Sequence, residues 1–145
     1  MENKNLQNLN DSELETVAGG VGLNEAIASG SFSSNSGTSL NLLVNWSVRA
    51  GAGSNTLYVD VYTTSYALVS QYLPNGVQLT VGGMVYTSGS NAIDYHGSGM
   101  ATHALASFAI PNFVGPATAT AVFHFNGVLS GRPVNDIVAT GLINA

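Results

Sequence analysis

From residue 42 onward the chain holds run after run in which side chains alternate between two faces, and this period of two constrains the fold more than any other feature. Leu42, Val44, Trp46 and Val48 alternate with Leu43, Asn45, Ser47 and Arg49. Leu57, Val59 and Val61 alternate with Tyr58, Asp60 and Tyr62, and Val77, Leu79 and Val81 with Gln78 and Thr80. Neighbouring side chains of a strand point to opposite faces, so each run predicts a strand with one buried face and one wet face. Turn residues punctuate the runs at residues 51–55, Pro74-Asn75-Gly76, Gly82-Gly83, Pro111-Asn112 and Asn126-Gly127. Gly82-Gly83 and Asn126-Gly127 suit two-residue hairpin turns, which require positive φ. Residues 104–110, Phe123 with Phe125, Val128-Leu129 and residues 137–143 complete the series. No stretch after residue 28 shows a helical period, which argues against a parallel α/β fold.

The expectation is therefore an all-β fold, an antiparallel β-sandwich of about seven or eight strands. It occupies residues 40–145, with Trp46, Val48, Val59, Val61, Leu79, Val81, Phe123, Phe125 and Ile137 in its core. Flat alternation of Thr118 and Thr120 with Ala117, Ala119 and Ala121 marks a strand suited to accept an added one.

Charge divides the chain into two pieces. Residues 1–20 carry Lys4 against Glu2, Asp11, Glu13 and Glu15, whereas everything after them carries only Arg49, Arg132, Glu25, Asp60, Asp94 and Asp136. Soluble domains usually devote about a quarter of their residues to charge. This domain must build its wet surface from Ser, Thr, Asn and Tyr instead. Three Lys/Arg and a net charge of −5 argue against nucleic acid, which binds through a basic footprint. With no cysteine, disulfides and thiolate metal sites are excluded. The apolar runs are too short for a membrane-spanning helix. Between the two pieces, residues 21–28 fit either a short helix or an extended arm. Residues 29–39, rich in Ser and Gly, read as flexible, making residues 21–39 an arm.

Residues 9–18 have the marks of a helix. Asn10 suits an N-cap, Glu13 falls three residues later to close a capping box, and Leu9 and Leu14 take the staple positions. Leu6, Leu9, Leu14 and Val17 fall on one apolar stripe, and Gly19-Gly20 stops the helix. These residues resemble the double-glycine leader of bacteriocin-type precursors. Such leaders are cut after the second Gly by the peptidase domain of an ABC exporter. Family leaders carry apolar residues twelve, seven and four positions from the cut, which here are Leu9, Leu14 and Val17, with Glu13 beside Leu14. The resemblance covers residues 1–20 alone. It implies cleavage between Gly20 and Val21, with Leu9, Glu13, Leu14 and Val17 recognised by the exporter. A Sec signal is a poor alternative, because Asp11, Glu13 and Glu15 interrupt any apolar stretch.

Candidate chemistry in the second piece is sparse. Asp94, His96 and His103 lie close in sequence, and His124 follows on a later strand flanked by Phe123 and Phe125, which turns it toward solvent. Spacings typical of a helical metal site are missing, so these read as ordinary loop and strand histidines. His96-Gly97-Ser98-Gly99 lacks the first glycine of a nucleophile elbow. Neither an enzyme nor a bound cofactor or metal is expected. Tyr58, Tyr62 and Tyr66 share alternation parity and could line a sugar-stacking face, although aromatics in such strands more often belong to a rim or core.

The expected function is that of a secreted structural, adhesive or self-assembling component of the bacterial surface or matrix. A bacteriocin-like effector and a carbohydrate-binding module are the alternatives. Its expected partners are the exporter, through the leader, and other copies of itself after cleavage. Replacing Gly19 or Gly20 by a bulky residue should block processing, because a side chain cannot enter a cleft shaped for glycine. Intact mass of the exported protein checks this: the expected mature chain begins at Val21, and the Gly20→Leu product keeps Met1.

Overall fold

The structure, a computed structural model, describes residues 26–35, 40–124, 127–129, 132–133 and 136–145. Among these residues it is all-β. The strands in chain order are β1 (Ala26–Asn35), β2 (Leu40–Ala50), β3 (Asn55–Ser65), β4 (Leu68–Ser70), β5 (Leu73–Val81) and β6 (Met84–Ser90). After them come β7 (Ile93–Tyr95), β8 (Ala101–Ile110), β9 (Ala117–Phe123), β10 (Gly127–Leu129), β11 (Arg132–Pro133) and β12 (Ile137–Ile143). One sheet has the order β1-β2-β3-β8 and another β12-β9-β5-β6; a third, of short strands, runs β11-β10-β4-β7. All strand pairs are antiparallel.

The two large sheets form the expected sandwich. Every second residue of β2 is buried, Leu40, Leu42, Val44, Trp46 and Val48, and so are Leu57, Val59 and Val61 on β3. Facing them from the other sheet are Val77, Leu79, Val81, Ala119, Ala121, Phe123, Ile137, Ala139 and Ile143. Each core residue expected from alternation is buried except Phe125, which lies outside the described residues. Gly82 and Gly83 form the β5–β6 turn with φ of +55° and +86°, the twin positive values that a two-residue hairpin with right-handed twist demands.

Two expectations are corrected. The first concerns the arm: Ala26–Asn35 is not a flexible tether but a strand paired along its length with β2. Its inward row, Ala28, Gly30, Phe32 and Ser34, holds one large apolar residue, so alternation was too weak to register in the sequence. Gly30, which suggested looseness, is a notch: a Cβ there would sit 2.7 Å from the Trp46 ring directly opposite. The packed unit thus includes Ala26–Asn35 as well as the residues from 40 onward.

Strand number agrees with expectation: the two large sheets hold eight strands, and among the described residues the third sheet adds four, too short to display alternation. The second correction is β9. Far from being an open acceptor, it lies inside its sheet, with Thr120 paired to Thr140 on one side and Thr80 on the other.

Leu9, Glu13, Leu14, Val17, Gly19, Gly20 and Val21 lie outside the described residues. Among those described, no helix is long and apolar enough to cross a membrane.

Trp46 is only 7 % exposed and seats on Gly30, so its removal leaves a large void. Trp46→Ala should lower unfolding free energy by about 3–5 kcal/mol, measured by urea denaturation.

Candidate functional site

The histidines are the first test of a chemical site. Asp94 and Tyr95 end β7, and alternation sends Asp94 and His96 to one side and Tyr95 to the other. His96 Nε2 meets Asp94 Oδ1 at 2.5 Å, both side chains well exposed. Tyr95 turns instead toward His103 on β8, with ring centroids 5.3 Å apart, and its hydroxyl donates to the Gly99 carbonyl at 2.7 Å. Asp94, His96 and His103 therefore do not converge. His124 faces outward from β9, as expected of its parity, and its Nδ1 lies 2.7 Å from Asp136 Oδ2. Among the described residues no three His, Asp or Glu side chains come together to hold a metal.

The outer face of the first sheet is wet and uncharged over most of its area. Tyr58 and Tyr62 share it with Asp60, as their parity implies, while Tyr66 is exposed just beyond the end of β3. Asp60 accepts a hydrogen bond from the Ser107 hydroxyl at 2.7 Å. The Arg49 guanidinium lies 5.8 Å from the Tyr58 ring centroid, over the ring face that a sugar would use for stacking. At the loop end of the same sheet, an open cleft of about 530 Å³ lies beside Ser54, Asn55, Asn112 and Val114, with no charged lining residue.

Within its four strands the outer face of the second sheet carries no charged side chain, the His124–Asp136 pair lying just beyond the ends of β9 and β12. Its rows run Thr87, Gln78, Val122, Val138 and Val85, Thr80, Thr120, Thr140, followed by Thr118 beside Leu142. Thr120 and Thr140 hydroxyls lie 3.2 Å apart across the strand pair. Threonine and valine fit a pleated surface because their branched side chains pack against cross-strand neighbours.

More telling are the four edges. The strands that end the two large sheets are β1, β8, β12 and β6, and none contains Lys, Arg, Asp, Glu or Pro. Natural sheets usually blunt an edge with such residues, with a bulge, or with a covering segment. Here β8 is blunted by a bulge beside Val61 and Tyr62, and Asn91 caps it. The Asn91 amide donates to the Leu105 carbonyl at 3.1 Å, and its side-chain Nδ2 to the Ala104 carbonyl at 3.2 Å. At one end of β1 there is a register shift between Ala26 and Ala28. Tyr72 lies over Gly89 near the end of β6. By contrast β12 keeps seven consecutive pairs with β9 and no irregularity. Alternation alone could not reveal this, because nothing in a strand's own residues says whether it has neighbours on both sides.

The half-buried His103 has an Nε2 with no hydrogen-bond partner among the described residues, and burial holds its pKa below the ordinary 6.5. The unfolded chain then binds the proton more readily than the folded one. This residue's contribution is whole above pH 6.5 and is lost as pH falls from there through the folded-state value. Stability to urea should decline between pH 7.5 and pH 5.5, and the decline should be shallower in His103→Gln.

Comparison with known protein families, with curated proteins and with solved structures finds no match.

Proposed function

We propose that this chain is the precursor of a secreted, self-assembling structural protein of the bacterial surface or matrix. Its leader, residues 1–20, directs it to a peptidase-containing ABC exporter that cuts between Gly20 and Val21. The domain released outside the cell then associates with other copies of itself. One observation carries this reading: all four edge strands of the two large sheets lack charge and proline. Edges without charge or proline pair more readily with other chains, which a cytosolic protein avoids and a matrix protein exploits.

The rest of the surface agrees with that role. Six charged side chains follow residue 20, so copies approach one another with little electrostatic repulsion. Two exposed His–Asp pairs, one at each of two separate loops, offer no joint machinery for catalysis. A monomeric sugar-binding module is the second reading, favoured by Tyr58, Asp60 and Tyr62 on one wet face and weakened by Arg49 over the Tyr58 ring.

Light scattering of the chain from Val21 separates the two. The expected result is an apparent mass that rises with protein concentration and is insensitive to added oligosaccharides. A chain that stays monomeric at high concentration and binds on a glycan array would replace assembly by sugar binding.

A further inference from the structure

Of the four edges, β12 is both the most regular in register and the most self-complementary. Its sequence, Ile137-Val138-Ala139-Thr140-Gly141-Leu142-Ile143, reads nearly the same in either direction by chemical type. Ile stands at each end, then Val and Leu, then Ala and Gly, with Thr140 at the centre. An antiparallel pair of two identical strands centred on Thr140 sets Ile137 beside Ile143, Val138 beside Leu142 and Ala139 beside Gly141. Each pairing occurs twice, related by a two-fold axis, and each matches like with like.

We propose, building on the self-assembly reading, that two copies of this protein join through β12, pairing edge to edge about a two-fold axis at Thr140. The occupant of the edge is a second copy because the strand complements itself, and a two-fold contact requires one patch to serve both subunits. The second sheets of the two copies then run on as one continuous sheet. On its outer face Val138 and Leu142, 47 % and 57 % exposed in the single chain, cover each other across the seam. Aromatic and branched apolar pairs of this kind are the unit that stabilises a sheet. On the inner face the seam joins Ile137 to Ile143, which are already buried in each core.

Among the described residues β12 is hydrogen-bonded to a strand on one side only, its partner being β9. On the inner side β1 packs closely along β12, with Phe32 against Gly141, so a partner strand has to enter beside β1. The register of β12 with β9 is unbroken, so the outward amides and carbonyls keep the even spacing a partner strand needs. A closed two-fold dimer also leaves the β6 and β8 side free for any larger assembly.

The test uses the chain from Val21 and takes advantage of its lack of cysteine. Thr140→Cys places a thiol on the two-fold axis, where cross-strand Cβ atoms lie within about 4.5–5.5 Å, near disulfide range. Thr87→Cys places one on β6 as the comparison. Mild oxidation should yield a covalent dimer from Thr140→Cys at concentrations where Thr87→Cys stays single. In parallel, Thr140→Lys sets two like charges face to face and should weaken association about tenfold or more, with Thr87→Lys close to the parent. Thr140 is exposed, so the thermal unfolding of each variant should match the parent and show that folding is intact. If the parent associates but neither Thr140 variant differs from its Thr87 counterpart, the β12 seam is wrong while self-assembly stands. If the parent never associates, both fall together.

Discussion

Two aromatic rings seated on two glycines hold one side of this sandwich closed. Trp46 on β2 lies over Gly30 on β1, and Phe32 on β1 lies over Gly141 on β12. The first contact fixes β1 against its own sheet, and the second ties β1 across the core to the opposite sheet. A methyl group at either glycine would clash with the ring, since interiors are packed too densely to absorb it. Without these seats a strand as poor in apolar residues as Ala26–Asn35 would have little reason to leave water. The placement of β1 in turn decides which strands remain as edges.

Scarcity of charge is the second constraint, and it acts outside the core. With hydroxyls and amides in place of lysines and glutamates, each sheet can satisfy its outer face by cross-strand hydrogen bonds such as Thr120 to Thr140. Such a face neither repels nor orients a neighbour. Protection of the edges therefore falls to geometry, and geometry protects them unequally. Asn91 caps the middle of β8 at its bulge, whereas β12 runs without a bulge and, among the described residues, pairs on one side only.

Polar groups inside the sandwich follow a simpler logic. Thr63 is fully buried and donates its hydroxyl to the Asn41 carbonyl at 2.8 Å, so it replaces an apolar residue without loss of a hydrogen bond. His103 is the contrary case, half-buried with an unpaired nitrogen, and its neutral form is favoured for that reason. The histidines thus divide by environment, two paired with aspartates at the surface and one against Tyr95.

Local information determined the strands with a long one-sided pattern: β2, β3 and the second half of β5 are legible because a period of two needs only consecutive residues. The glycine turn at Gly82-Gly83 was legible for a similar reason, since its backbone demand belongs to those residues alone. The resemblance to a double-glycine leader likewise rests on twenty consecutive residues. What the tertiary structure alone decided is adjacency. It paired β1 with β2, enclosed β9 between β5 and β12, and separated Asp94 and His96 from His103. Strand order depends on contacts between residues far apart in the chain, each satisfied by shape rather than by composition. The position of β12 at the end of its sheet is a property of that order, and no single strand's sequence contains it.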